Sequence, residues 1–366
     1  MDVSILKEIY KSISNMYRNI LTESENACLD KYSKVIIWGF PLDTHTHSYI
    51  HALWYKVFKH GFNKETLWFH DNDFPRDFDY NNSLFITEGY ADKNIPVVSS
   101  STYFVHNAIY PEKYLNSGAR LIEIRFNVNE IHDVNNDFKL DDGTHQLLEL
   151  SPHAKYERLT SNKDIHISKR GEVKQMNYEC IYLYWGTDLL PHEFNFNDIM
   201  LPKENVIYYI GSPIYSVHFP QFRDICAQNG IQWVSSNPWN TPLTFEVNKT
   251  LMQKSLLTPD FRSIGTDEDT RQFGVKNGKN HLEIGYLPCR VLKAISYGQL
   301  GITDSMYVKE ILKEHVVYSN NMNELFSMAM VEKNNKYRIY KAMQYVQENH
   351  TYVNRAVELI RALCKT

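Results

Sequence analysis

The feature that most constrains this chain is a recurring one. Short apolar runs, too short to make helices, alternate with amphipathic stretches and polar turns. The runs in the first half are KVIIWGF (34–40), ETLWFHD (65–71), SLFITEG (83–89), IPVVSSS (95–101), RLIEIRF (120–126) and YECIYLYWG (178–186). Between the first two, SYIHALWYKVFKHGF places Ile50, Leu53, Trp54, Val57 and Phe58 on one helical face and stops at Gly61, a C-terminal cap. Strands apolar on both faces belong in a parallel sheet covered by helices on both sides. A polar stretch, 191–205, breaks the pattern, and NVIYYIGS (205–212) restarts it. GIQWVSS (230–236), a helix-like VLKAISYG (291–298), LGITDS (300–305), HVVYS (315–319) and helices over about 322–363 follow. At 366 residues the chain exceeds one compact unit. The pattern predicts an α/β protein of two Rossmann-like domains, 1–200 and 201–366, with mostly parallel sheets facing a central cleft. The last helix is expected to pack back on the first domain.

Composition narrows the function. Lys and Arg number 39 against 43 Asp and Glu, a net charge of −4 with no basic run, which argues against a nucleic-acid partner. Aromatic residues make up 13%, with 25 Tyr, and such rings line sugar and nucleotide pockets as well as cores. Cys28, Cys180, Cys226, Cys289 and Cys364 are scattered without metal-like spacing, so neither a zinc knuckle nor a disulfide framework is expected, and a reducing cytoplasm is. Residues 3–21 carry a helical stripe of Ile5, Leu6, Ile9, Ile13, Met16, Tyr17 and Ile20, with charges throughout. No apolar stretch is long enough for an integral membrane segment, so the expectation is a soluble, cytoplasmic protein. The polar, turn-rich segment 127–177 reads as an insertion or hairpin.

The stretch GYLPCRVLKAISYGQLGITDS (285–305) carries the clearest chemistry. A glycine-containing loop leads to Arg290 and Lys293 at the opening of a helix, with Gly298 before a strand. Backbone N–H groups at a helix start favour a phosphate, and Arg grips one bidentately. The stretch resembles the donor-binding segment of glycosyltransferases of the two-Rossmann-domain (GT-B) architecture, with Pro288, Arg290, Ala294, Ile295, Gly298 and the strand at 301–303 in the matching layout. NVIYYIGSP (205–213) resembles the first strand and glycine turn of the donor domain, and TPDFR (258–262) the segment before the donor loop. HTYVNRAVELI (350–360) is similar to the closing helix of spore-coat type glycosyltransferase-like proteins. The resemblance covers about 200–366, and the amino half shares only the general layout.

What the resemblance implies is transfer of a sugar from a nucleotide diphosphate sugar, a co-substrate, to a hydroxyl of a glycan or glycoconjugate acceptor. Donor contacts fall on Gly211, Ser212, Arg262, Tyr286, Arg290, Lys293, Ser296, Tyr297 and Gly298. Many retaining members carry two glutamates eight positions apart, where this chain has Gly285 and Lys293. Ribose recognition therefore differs, and inversion by single displacement is favoured over retention. Arg262, Arg290 and Lys293 form a candidate clamp for the departing diphosphate, so no cofactor and no metal are expected. Asp71-Asn72-Asp73 is the nearest look-alike of a metal-binding Asp-x-Asp element.

PLDTHTHSYIH (41–51) sets Asp43, His45 and His47 at alternate positions directly after the first strand. Open α/β folds put their ligands at that edge, so His45 and His47 are the preferred bases for deprotonating an acceptor, with Asp43 orienting one of them or acting itself. Asp188, in YWGTDLLPHE, is either an alternative base at the cleft or an N-terminal helix cap. His106 reads as a loop histidine, and Trp233, Trp239 and Tyr297 as candidates for stacking on a base or sugar. Two rival readings stand beside this one. Asp43-Thr44-His45-Thr46-His47 also resembles the opening metal-binding motif of amidohydrolase barrels, which would make the protein a metal-dependent hydrolase, although the further ligands of such a barrel are not assignable. The missing glutamates also allow a non-catalytic sugar-nucleotide or glycan-binding protein.

Overall fold

A computed structural model describes residues 17–44, 47–106, 108–125, 160–167, 173–211, 216–237, 243–262 and 287–364. The protein is α/β with a mostly parallel main sheet. Its strands are β1 (Lys34–Trp38), β2 (Thr66–Phe69), β3 (Ser83–Glu88), β4 (Thr102–His106), β5 (Arg120–Arg125), β6 (Thr160–Ile167) and β7 (Val173–Tyr182). Their order is β2-β1-β3-β4-β5-β7-β6, and only the edge pair β6–β7 is antiparallel. Val35 to Trp38, Leu84 to Ile86 and Tyr103 to Val105 are buried on both faces of the sheet, as β-branched and aromatic runs demand. One face is covered by α1 (Glu23–Asp30) and α2 (Ser48–Lys56), the latter running into a π turn, Val57–Gly61. Ile50, Leu53, Trp54, Val57 and Phe58 form its buried stripe. Thr22 and Glu25 close a capping box at the start of α1. The other face packs on Tyr80, Ile95 and Tyr114, the last from α3 (Glu112–Leu115).

One expected strand is displaced. IPVVSSS (95–101) is a loop, and the next segment, TYFVH, enters the sheet as β4. Pro96 has no N–H to give a ladder, and its carbonyl accepts from the Tyr103 hydroxyl at 2.8 Å. Val98 N donates to the same hydroxyl at 2.9 Å, so the loop is wound around a ring already fixed in β4. Of the helical stripe at 3–21, only the part from Tyr17 on falls within the described residues, and Tyr17 is buried. Of segment 127–177, the described parts are strands of the β6–β7 antiparallel pair.

The remaining strands are β8 (Val206–Ile210) paired in parallel with β9 (Gln232–Ser236), and β10 (Pro259–Asp260), β11 (Gly301–Thr303) and β12 (Val316–Tyr318), paired in parallel in that order. Leu256 N donates to Val206 O at 2.8 Å and Tyr208 N to Ser255 Oγ at 3.0 Å, which seats the approach to β10 beside β8. These contacts set the edge of the two-stranded sheet at β8 beside the separate three-stranded sheet at β10, in the succession β9-β8-β10-β11-β12 without a β8–β10 ladder. Around it lie α4 (His218–Gln228), α5 (Phe245–Lys254), α6 (Cys289–Ser296), α7 (Met306–Leu312), α8 (Met322–Glu332) and α9 (Lys336–Asn349). Ile207, Phe222, Leu292, Ile302, Leu325 and Met343 belong to one buried cluster there. The last helix, α10 (Tyr352–Cys364), sits in the other cluster, with Tyr352, Ala356, Leu359 and Ile360 packed among residues of the seven-stranded sheet and α2.

Both strand sets share a topological consequence. β1 is paired on one side with β2 and on the other with β3, and β8 is paired with β9 on one side and lies beside the approach to β10 on the other. Open α/β folds form their ligand crevice at the carboxyl ends of such strands, here those of β1 and β3 and those of β8 and β10. Among the described residues, no helix is long and apolar enough to cross a membrane.

Candidate functional site

At the crevice between β1 and β3, Glu88 ends β3 and His47 stands at the head of α2. His47 Nδ1 lies 2.8 Å from Glu88 Oε2, with side chains 33% and 4% exposed. A carboxylate can only accept, so the imidazole proton sits on Nδ1 and, in the neutral ring, the lone pair sits on Nε2. Gly39 leaves β1 with no room for a side chain, since a Cβ would come within 2.2 Å of the His51 ring, whose Nδ1 accepts from Phe40 N at 3.0 Å. His106 ends β4 with its ring 4.6 Å from that of Trp185, which lies 6.1 Å from the His47 ring. A small cavity lies beneath, lined by His51, Glu88, His106, Trp185 and Tyr352.

The ionisation of this cluster follows from its burial. Desolvation alone would raise the Glu88 carboxyl, but the hydrogen bond from His47 and the charges of His47, His51 and His106 outweigh it and bring it down to about 2. Burial pushes His106 down to about 3, against the pull of Glu88, so it is neutral at ordinary pH. Both shifts have the same sign for stability. Between pH 6.5 and about 3 the unfolded chain binds a proton at His106 that the folded one refuses, and between 4.5 and about 2 the same holds at Glu88. Stability is therefore expected to fall as pH drops from about 6.5, and a His106→Phe variant should flatten the upper part of that decline in a series of thermal melts. An unchanged slope in the variant would remove His106 from the account.

At the crevice between β8 and β10 a charged cluster gathers around two buried carboxylates. Arg262 Nε donates to Asp260 Oδ2 at 2.8 Å, and its Nη2 donates to the other oxygen. The Arg290 guanidinium lies 4.1 Å over the Tyr209 ring and 4.0 Å from Asp260 Oδ1, with no bidentate carboxylate partner among the described residues. Asp304, at the end of β11, accepts from Arg262 N at 2.6 Å and from His218 Nδ1 at 2.8 Å. Gly211 follows β8 at φ +138, and a Cβ there would stand 1.6 Å from Arg290 Nη2. Gly211→Ala is thus expected to displace Arg290 and to strain the turn together, lowering both thermal stability and anion binding. A variant that melts and binds as the parent does would show that Arg290 is not held against this glycine.

The two crevices are joined by α6. Lys293, one turn beyond Arg290, lies 3.4 Å from Asp188 Oδ2 and 3.7 Å over the ring of Tyr49, two residues after His47. Tyr297 donates its hydroxyl to Asp188, and Ser296 Oγ lies 2.7 Å from Thr187 Oγ1. Burial and then Asp188 hold the Tyr297 hydroxyl well above its ordinary range, so it stays a donor. Tyr49 and Phe245 of α5 meet edge to face, centroids 6.5 Å apart. Gly298, at φ +80, packs on the backbone of Asp198 and Ile199.

The residues singled out from the sequence therefore divide. Gly211, Arg262 and Arg290 converge on one crevice, and His47 stands at the other. Lys293, Ser296 and Tyr297 meet Thr187 and Asp188 in the contact between them, where Lys293 is committed to a carboxylate. Asp188 is the partner of that ion pair and not a helix cap, because the following 3-10 turn starts at Pro191 with Leu190 before it. Asp43 is exposed in a left-handed turn at φ 61, its N–H donating to Ser48 Oγ at 3.2 Å. His45, Ser212 and Tyr286 lie outside the described residues, as does Trp239. Trp233 stacks on Tyr209 at 5.7 Å.

Glu88, Asp260, Asp304 and His218 were not foreseen. For Glu88 and Asp304 the signal is their place, at or just after the end of an apolar strand, where an acid has no packing reason to be, whereas Asp260 ends a strand of only two residues. Among the described residues, no group of three or more His, Cys, Asp or Glu side chains is arranged to hold a metal ion. Comparison with family models, curated proteins and solved structures finds no match for the chain.

Proposed function

We propose that the protein is a cytoplasmic glycosyltransferase of the GT-B type, with two Rossmann-like lobes meeting near residue 200, that moves a sugar from a nucleotide diphosphate donor to an acceptor hydroxyl. One observation carries this reading. Two guanidinium groups stand at the crevice between β8 and β10, and the helix that bears Arg290 also carries Lys293 onto Tyr49, beside the His47–Glu88 pair.

In this reading the pyrophosphate sits over Gly211, where the lack of a side chain admits it, and takes charge-assisted hydrogen bonds from Arg290 and Arg262. Asp260 holds the Arg262 guanidinium and the Tyr209 ring supports that of Arg290 before the ligand arrives, so little reorganisation accompanies reaction. The acceptor lies against the crevice between β1 and β3. His47 Nε2 removes the hydroxyl proton as the oxygen attacks the anomeric carbon, and Glu88 fixes the ring and stabilises the imidazolium that forms. The C–O bond to the diphosphate breaks as the new one forms, which inverts the anomeric centre. Replacing the glutamates of retaining relatives by Gly285 and Lys293 is consistent with a single displacement.

The test is a thermal-shift panel of uridine, guanosine, thymidine and cytidine diphosphates and their sugars, with and without chelator, followed by assay of nucleoside diphosphate release. The proposal expects stabilisation by at least one diphosphate, unaffected by chelator, and release that depends on acceptor. Absence of stabilisation by any of them contradicts it. Binding without release would favour the non-catalytic reading, and activity abolished by chelator the metal-dependent hydrolase.

A further inference from the structure

We propose that Cys28 and Cys364 form a reversible intramolecular disulfide, a modification site that fastens α10 to α1. The two residues stand near opposite ends of the sequence, yet their helices lie side by side. Arg361 Nε donates to Glu25 Oε1 at 2.7 Å, and Cys364 Sγ lies 3.9 Å from Ser24 O. Arg361 and Cys364 are one turn apart on α10, and Ser24 and Glu25 are one turn before Cys28 on α1. The ion pair therefore sets the register that brings this end of α10 against the turn of α1 that precedes Cys28, where Cys364 Sγ also lies 3.3 Å from Ile360 O of its own helix. Both cysteines are half-buried, so a small oxidant can reach them. Cys226, in contrast, is buried in a separate core.

The chemistry balances with a low-molecular-weight disulfide such as oxidised glutathione as the oxidant. The Cys28 thiolate attacks one sulfur, the S–S bond of the reagent breaks, and one glutathione thiolate leaves. Cys364 then attacks the mixed disulfide, expelling the second glutathione. Two protein thiols are oxidised, one reagent disulfide is reduced to two thiols, and the protons from the cysteines go to the leaving thiolates. Burial, followed by the influence of Cys28, pushes the Cys364 thiol up to about 12, which makes it the slower, resolving partner. The bond matters because α10 braces the contact between the two crevices. Its Tyr352 packs on Gly186, and Arg355 donates to the carbonyls of Tyr184 and Trp185, just ahead of Asp188.

The full-length protein is incubated with millimolar oxidised glutathione, digested without reduction and mapped by mass spectrometry, with thermal melts in parallel. The expected product is a Cys28 peptide joined to a Cys364 peptide, with a melting temperature raised by about 5 °C. Dithiothreitol should reverse both, and both should be absent in Cys28→Ser and in Cys364→Ser. The two variants check each other should one fold poorly. Separate glutathione adducts on both cysteines without a cross-link, a cross-link to Cys180, Cys226 or Cys289 instead, or an equal thermal shift in either variant would overturn the proposal.

Discussion

Turnover of sugar transfer should fall by about 10²- to 10⁴-fold in His47→Ala, with nucleoside diphosphate affinity unchanged, because a positioned general base contributes a factor of that order. The expectation follows from a division of labour between the two nitrogens. Nδ1 is committed to Glu88 at 2.8 Å, so only Nε2 can take a proton. His47→Gln keeps a donor for Glu88 but offers no basic nitrogen, and should lose as much turnover as the alanine variant. The pair of variants separates chemistry from folding. The alanine variant leaves Glu88, 4% exposed, without its partner and should melt earlier by the equivalent of about 1–3 kcal/mol, whereas glutamine should recover part of that loss. Glu88→Gln should act in the same direction on kcat more than on KM, as a positioning residue does. Rate measurements with acceptor in excess, beside melts of each variant, decide the matter. Near-normal turnover in both His47 variants would remove this residue from the reaction.

Loss of the Arg290 guanidinium should weaken diphosphate binding by about 10- to 100-fold, the worth of one hydrogen-bonding charge in a partly buried site. The residue has an unusual setting for a structural arginine. It is 15% exposed, rests on the Tyr209 ring, and reaches Asp260 only at 4.0 Å. Arg262 differs, since it is paired bidentately with Asp260, whose side chain is wholly buried. Arg262→Ala should therefore cost stability, about 3–5 kcal/mol, through the buried carboxylate it abandons, while Arg290→Ala should leave the fold nearly intact. Arg290→Lys should not restore affinity, because a point charge cannot reproduce a fork. Calorimetric titration of each variant with the diphosphate that stabilises the parent protein measures the loss. An Arg290→Ala protein that binds as tightly as the parent would place the anion elsewhere.

Much of the architecture was legible because it rests on local signals. β1, β3, β5, β8, β9, β11 and β12 coincide with apolar runs, and α2 carries the stripe read from its spacing. The misplaced strand at 95–101 shows the limit. Val97 and Val98 look like strand residues, but Pro96 and the Tyr103 hydroxyl bind that segment as a loop, and a hydroxyl's partner cannot be seen in a run of letters. Short β10, made of Pro259 and Asp260, has too little apolar length to be seen at all.

The site was legible in its cations and, apart from Asp188, not in the anions that hold them. Arg262, Arg290 and Lys293 stood out by type and place, yet their fates depend on carboxylates that the motifs did not single out as their partners, one of them only two residues from Arg262. Asp260 and Asp304 organise Arg262, Arg290 stands 4.0 Å from Asp260, and Asp188 takes Lys293. Glu88 gives His47 its role from 41 positions away, a pairing fixed by the strand order β2-β1-β3 and not by any motif.

A crystal structure with a nucleoside diphosphate bound is the most direct measurement of all. The phosphates should lie over Gly211 within hydrogen-bonding distance of Arg290 and Arg262, with the nucleotide's open end directed toward His47 and Glu88. A diphosphate seated away from both arginines, or one whose leaving oxygen faces away from the crevice between β1 and β3, would contradict the account.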